Sequence, residues 1–130
     1  MAEKEWNKLG AYLKDTQILG SIQSTLYWDQ NTNMPKKGAS WRSEQLTYIA
    51  KILHKRNSSK EFSDLIKAAQ DEIEACLEDS FSKEIIQSKK INIELLIKEF
   101  NRQKNLDPKL VEALAKAKSK GYQSQKKIRF

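Results

Sequence analysis

Apolar residues recur at three- and four-residue spacing along almost the whole chain, and that rhythm admits little except helices. Leu46, Ile49, Ala50 and Leu53 give one apolar stripe. Phe62, Leu65, Ile66, Ala69, Ile73 and Cys76/Leu77 give another. No stretch alternates apolar and polar residues as a half-buried strand would. Four Gly and two Pro in 130 residues are too few turn formers for a sandwich or barrel. A hydrophobic share of 38% is too high for a disordered chain. The reading is an all-α fold, an array of about five amphipathic antiparallel helices.

The start and stop signals divide the chain accordingly. A first helix is expected over about residues 3–30, carrying Trp6, Leu9, Leu13, Ile18/Leu19, Ile22 and Leu26, with a short break near Asp15–Thr16. Pro35 pushes Met34 out of the helical region, so Asn31–Gly38 is the clearest loop. A second helix follows from Ala39–Trp41 to about Arg56. Ser58 with Glu61 three residues on matches a capping box for a third. The fourth runs from about Ser82 to Lys104, with Ile85/Ile86, Ile93, Leu96/Ile97 and Phe100 inward. Asp107-Pro108 opens the fifth as N-cap and first helical residue, and Leu110, Val111, Leu114 and Ala115 are its apolar face. Gly121 is placed to stop it. Residues 1–121 then form one helical region and residues 122–130 a short basic, disordered tail.

The net charge of +7 is unevenly spread. The last fifteen residues hold six bases and no acid, so the basicity sits at one end of the chain and speaks weakly for nucleic acid. One cysteine excludes an internal disulfide framework, and no apolar stretch approaches the ~20 residues that cross a bilayer. A cytoplasmic protein with no membrane partner is expected.

Catalytic chemistry has few places to reside. A hydrolytic zinc site needs three protein ligands, and the chain has a single histidine, His54, followed by Lys55 and Arg56. His54 reads as a helix-end histidine favoured by the C-terminal dipole. Cys76 lies among Glu74, Glu78 and Asp79, which disfavour a thiolate. Asp71, Glu72, Glu74, Glu78 and Asp79 lack the alternating spacing and the Gly of a calcium loop and read as a solvated helix face. No catalytic or metal-ligating residue is assigned.

One segment stands apart: Leu26-Tyr27-Trp28-Asp29-Gln30-Asn31-Thr32-Asn33-Met34-Pro35. Its local chemistry suits an elaborate helix C-terminus. Asp29, Gln30 and Asn31 would satisfy orphan backbone groups, Tyr27 and Trp28 would pack, and Arg42 would pair with Asp29 or Glu44. The longer stretch from Leu19 to Leu46 closely resembles the N-terminal region of the carboxypeptidase Taq family of metallocarboxypeptidases. Leu19, Gly20, Trp28, Asp29, Thr32, Met34, Pro35, Gly38, Arg42 and Gln45 fill that family's pattern. The likeness extends over roughly residues 5–122.

The resemblance implies an almost wholly helical, homodimeric, cytosolic enzyme that removes C-terminal residues from peptides. Zinc or another divalent metal, held by an H-E-x-x-H helix and a later glutamate, would serve it. Family members are several times longer, and their metal-binding segment lies beyond the length present here. The chain is therefore expected to hold only the helices that cover the groove, as after a truncation or frameshift near Ser124, and to be inactive alone, without a cofactor of its own. Trp28, Asp29, Thr32, Met34, Pro35, Gly38, Arg42 and Gln45 are carried over as structural motif residues. Peptides are the implied partners, and an apolar face left uncovered predicts self-association. The other reading is a free-standing helical interaction module whose Lys-rich tail binds an acidic partner such as nucleic acid.

Overall fold

A computed structural model describes residues 4–32, 34–76 and 83–128, with side chains as far as residue 121. Five α-helices and one 3-10 turn account for most of the described residues: α1 (Lys4–Thr32), the turn Lys36–Gly38, α2 (Ala39–Asn57), α3 (Lys60–Ala75), α4 (Lys83–Lys104) and α5 (Pro108–Ile128). No strand occurs among them. The all-α array follows from the periodicity, and most boundaries fall within two residues of those expected.

Three local expectations are corrected. α1 runs unbroken through Asp15–Thr16, because its two glycines cost about 1 kcal/mol each without breaking the hydrogen-bond ladder. α3 is capped by Ser59, one residue after the Ser expected: its Oγ accepts the Phe62 N–H at 3.1 Å. α5 passes straight through Gly121 to Ile128; no glycine has the positive φ that a helix-terminating glycine adopts. Asp107 caps α5 as expected, its Oδ1 accepting the Lys109 N–H at 2.9 Å. Leu77, Glu78, Asp79, Ser82 and Asn33 lie outside the described residues.

The chain divides into two compact units, one of Met1–Asp15 with Arg56–Asn105 and one of Thr16–Lys55 with Leu106–Phe130. The first unit has an apolar core. Phe62, Ile66, Ala69 and Ile73 form the buried stripe of α3 and meet Leu9, Tyr12, Ile86 and Ile93. Tyr12 stacks on Phe62 with centroids 5.1 Å apart, and Phe100 meets Phe62 edge-on at 6.1 Å. The Tyr12 hydroxyl donates to the Arg56 carbonyl at 2.8 Å and lies 3.0 Å from Ser59 Oγ. In return the Arg56 guanidinium donates to the Tyr12 carbonyl at 2.9 Å and sits 4.0 Å over its ring. That closed set of contacts pins α1 to the start of α3.

Glu72 also departs from the solvated face expected of it. Its Oε2 accepts the Trp6 N–H at 2.9 Å, so a carboxylate of α3 satisfies a donor in the first turn of α1. Its other oxygen is buried without a partner. Cys76 is half-buried at the C-cap of α3.

The second unit reverses this composition. Among its described residues Leu46, Ala50 and Ala115 are the buried apolar ones, beside four buried polar ones: Gln30, Ser43, His54 and Ser119. Ile18, Ile22, Leu110 and Leu114, expected on the apolar stripes of their helices, are exposed, as are Trp28, Trp41 and Tyr48; in the first unit Ile85 of α4, expected inward, is exposed as well, while its neighbour Ile86 takes the core position. Seven of the ten large exposed apolar side chains of the described residues thus belong to this unit.

Candidate functional site

The distinctive residues converge on the hairpin where α1 ends and α2 begins, inside the second unit. Arg42, one turn into α2, reaches back to α1 with its whole guanidinium. It donates to Asp29 Oδ2 at 2.8 Å, to the Leu26 carbonyl at 2.8 Å and to Gln45 Oε1 at 3.0 Å. Of the two acids expected, Asp29 is the one that pairs. A planar fork with fixed donor directions suits this role better than a lysine would.

The carbonyls at the end of α1 are satisfied by backbone and threonine rather than by the Asx and Gln side chains expected. Thr32 Oγ1 donates to the Trp28 carbonyl at 2.8 Å, and the Met34 N–H donates to the Asp29 carbonyl at 3.0 Å. Pro35 is extended, which turns the chain out of α1, and the Gly38 N–H donates to its carbonyl at 3.0 Å. Gly38 has no positive φ. A Cβ there would lie 3.4 Å from Met34 Cγ, so the Met34 thioether packs directly over it.

Gln30 belongs to the buried interior. Its Nε2 donates to the Ser119 carbonyl at 2.9 Å, and the Ser119 hydroxyl donates to its Oε1 at 3.1 Å. Tyr27 packs as expected, half-buried with the Lys118 ammonium 4.6 Å over its ring. Trp28 does not: it is 69% exposed, and Trp41 on the other arm is 66% exposed. The sequence signal separating Trp28 from Tyr27 is weak, since adjacent helical residues differ by only 100°.

The motif residues from Trp28 to Gln45 are therefore gathered at one hairpin. Asp29, Arg42 and Gln45 lock the hairpin; Thr32, Met34, Pro35 and Gly38 shape its bend; Trp28 projects from it. Gln30, Ser43 and Ser119 are site residues the motif reading left out. Ser43 Oγ is buried without a partner. Gln30 and Ser119 carry no local signal, because each finds its partner 89 residues away.

Among the described residues no three His, Cys, Asp or Glu are grouped so as to hold an ion. His54 is buried on α2, and the chain has no second histidine. Among the described residues no helix is long and apolar enough to cross a membrane.

Comparison with known proteins gives the arrangement a context. Residues 8–129 match the family model described as carboxypeptidase Taq (M32) metallopeptidase. A segment of 68 residues, 52% of the chain, is 28% identical to thermostable carboxypeptidase 1 of Thermus thermophilus. That segment spans 13% of the Thermus protein. No solved structure matches.

Proposed function

The chain belongs to the carboxypeptidase Taq (M32) metallopeptidases, and from that premise we propose that these 130 residues supply the helical cover of a peptide-binding groove and no hydrolytic centre. The observation that carries the reading is the composition of the second unit. It buries Gln30, Ser43, His54 and Ser119 while leaving Trp28, Trp41, Tyr48 and four aliphatic side chains in water. Burying such apolar groups against another surface is favourable by about 25 cal/mol per Å². A unit with this distribution is built to be covered.

The Arg42 clamp serves the same end. It fixes the angle between the arms of the hairpin, so Trp28 and Trp41 are presented on a rigid support. Peptides are the ligand class this cover would meet, and zinc or another divalent metal would be held by residues other than these. A lone histidine cannot supply three ligands.

The test has two arms. The purified protein is given zinc and short peptides, and release of C-terminal residues is followed by mass spectrometry; none is expected. The protein is then added to a family enzyme deleted for the corresponding helices. A lowered KM with little change in kcat is the expected result. Metal-dependent release by the 130 residues alone, or no effect on the deleted enzyme, overturns the reading. The Lys-rich tail as an acidic-partner module has no comparable structural support.

A further inference from the structure

Helices α3 and α4 of the first unit leave a half-open cavity of about 170 Å³ between them, lined by Gln70, Ile73, Glu74, Lys90, Ile93 and Glu94. Ile73 and Ile93 belong to the buried apolar core, so the floor is held in place by packing. The remaining lining is polar. Gln70 and Glu74 stand one turn apart on α3, as Lys90 and Glu94 do on α4. Gln70 and Lys90 are half-buried, and the two glutamates are exposed.

These four side chains are not committed elsewhere. Among the described residues none of them makes a side-chain hydrogen bond or an ion pair. Lys90 and Glu94 have the spacing of a helical ion pair, but lysine preceding glutamate is the weaker order. Two carboxylates, one ammonium and one carboxamide therefore share a small space over an apolar floor. The complement of that set is a molecule with two cationic centres, one carboxylate and a methylene chain. A bare metal ion matches it poorly, because the Lys90 ammonium repels a second cation. A wholly apolar ligand would strip water from polar groups and return no hydrogen bonds.

We propose that this cavity is a binding site for a free basic amino acid, of the lysine type. The Lys90 ammonium and the Gln70 carboxamide donate to the ligand carboxylate, and the two ligand ammonium groups donate to Glu74 and Glu94. The methylene chain lies on Ile73 and Ile93. An enclosed cavity of ~150 Å³ takes a benzene molecule, so the space suits a ligand of an amino acid's size. The site lies wholly within the first unit, shares no residue with the hairpin and does not depend on the peptidase reading.

The experiment is a titration of the whole isotope-labelled protein with lysine up to about 50 mM, followed by two-dimensional amide NMR at matched ionic strength. Saturable shifts centred on the amides of residues 70–74 and 90–94 are expected, with a millimolar Kd. Norleucine lacks the side-chain ammonium, N-acetyl-lysine the α-ammonium and lysinamide the carboxylate. Each should bind about threefold more weakly than lysine, or worse. Lys90→Gln should remove the preference for lysine over lysinamide. Glu74→Gln/Glu94→Gln should weaken lysine about tenfold and remove its preference over norleucine. The unchanged remainder of each spectrum verifies the fold of the variants. Absence of saturable shifts at the highest concentration overturns the proposal. So do shifts that sodium chloride reproduces in full, lysinamide binding as tightly as lysine, or lysine binding that neither variant weakens.

Discussion

The Gln30 carboxamide and the Ser119 side chain and carbonyl hold each other by two hydrogen bonds, 2.9 and 3.1 Å long, in the interior of the second unit. Both residues are almost wholly buried, at 1% and 0% exposure. Each therefore satisfies groups that would otherwise be desolvated without a partner, which costs more than an ordinary hydrogen bond returns. The pair ties the end of α1 to the far part of α5.

That relationship gives a measurable coupling. Gln30→Leu is expected to lower stability by about 2 kcal/mol, because it leaves the Ser119 hydroxyl without its acceptor. Ser119→Ala should cost about 1 kcal/mol. The double variant should cost less than the two single changes together, and urea denaturation of all four proteins measures the difference. Strict additivity would show that the two residues do not share the bond energetically.

The hairpin clamp should respond asymmetrically. Arg42→Met removes contacts to Asp29, Leu26 and Gln45 at once and is expected to cost about 2 kcal/mol. Asp29→Asn removes one charge from a partly exposed pair and keeps an acceptor, so about 0.5 kcal/mol is expected. Thermal unfolding followed by far-ultraviolet circular dichroism ranks them. Equal losses would mean that the charge pair, and not the Leu26 and Gln45 contacts, holds the bend.

Gly38 invites the opposite expectation from a motif glycine. Its φ is not positive, and a methyl group would meet Met34 Cγ at 3.4 Å, an ordinary contact. Gly38→Ala should therefore change stability by no more than about 0.5 kcal/mol, and a small gain is compatible with the lower entropy of the unfolded chain. A loss above about 1.5 kcal/mol would show that Met34 cannot yield the space.

Ser59 and Ser58 separate in the same way. Ser59→Ala removes the α3 N-cap and a neighbour of the Tyr12 hydroxyl, and about 1 kcal/mol is expected to be lost. Ser58→Ala should cost less. A reversed order, read from denaturant midpoints, would restore the capping box to the earlier serine.

On α4, Arg102 donates twice to Glu99, at 2.6 and 3.0 Å, and these bonds hold the Glu99 carboxyl below the usual carboxylate range. A depressed folded pKa contributes stability that is present above the ordinary glutamate range and is lost as the pH falls through the folded value. Both side chains are more than half exposed, so the contribution is small and screened by salt. Arg102→Gln should flatten the acid limb of a Tm-against-pH curve slightly, at low ionic strength only.

Much of this was legible in the residues. The α3 stripe of Phe62, Ile66, Ala69 and Ile73 is a local pattern, and its helix buries that face as written. Asp107-Pro108 opens α5 because a cap and a fixed φ act over one turn. The Arg42–Asp29 pair was foreseen as one of two options, since the bend at Pro35 brings the start of α2 back toward the end of α1. Residues Gln30, Ser119 and Glu72 were missed or misread, for each acts on an element far away in the chain.

Periodicity, caps and the Pro35 bend are interactions of a few residues, so the sequence by itself determined five helices, their order and the hairpin that carries the family motif. Which apolar faces are buried was decided only by tertiary structure. Ile18, Ile22, Leu110 and Leu114 have the same spacing as residues that lie inside, yet they face water. A helix can present two apolar stripes, and local spacing marks both alike. Only the neighbours brought by the fold choose between them, as Ser119 and Gln30 do for α5.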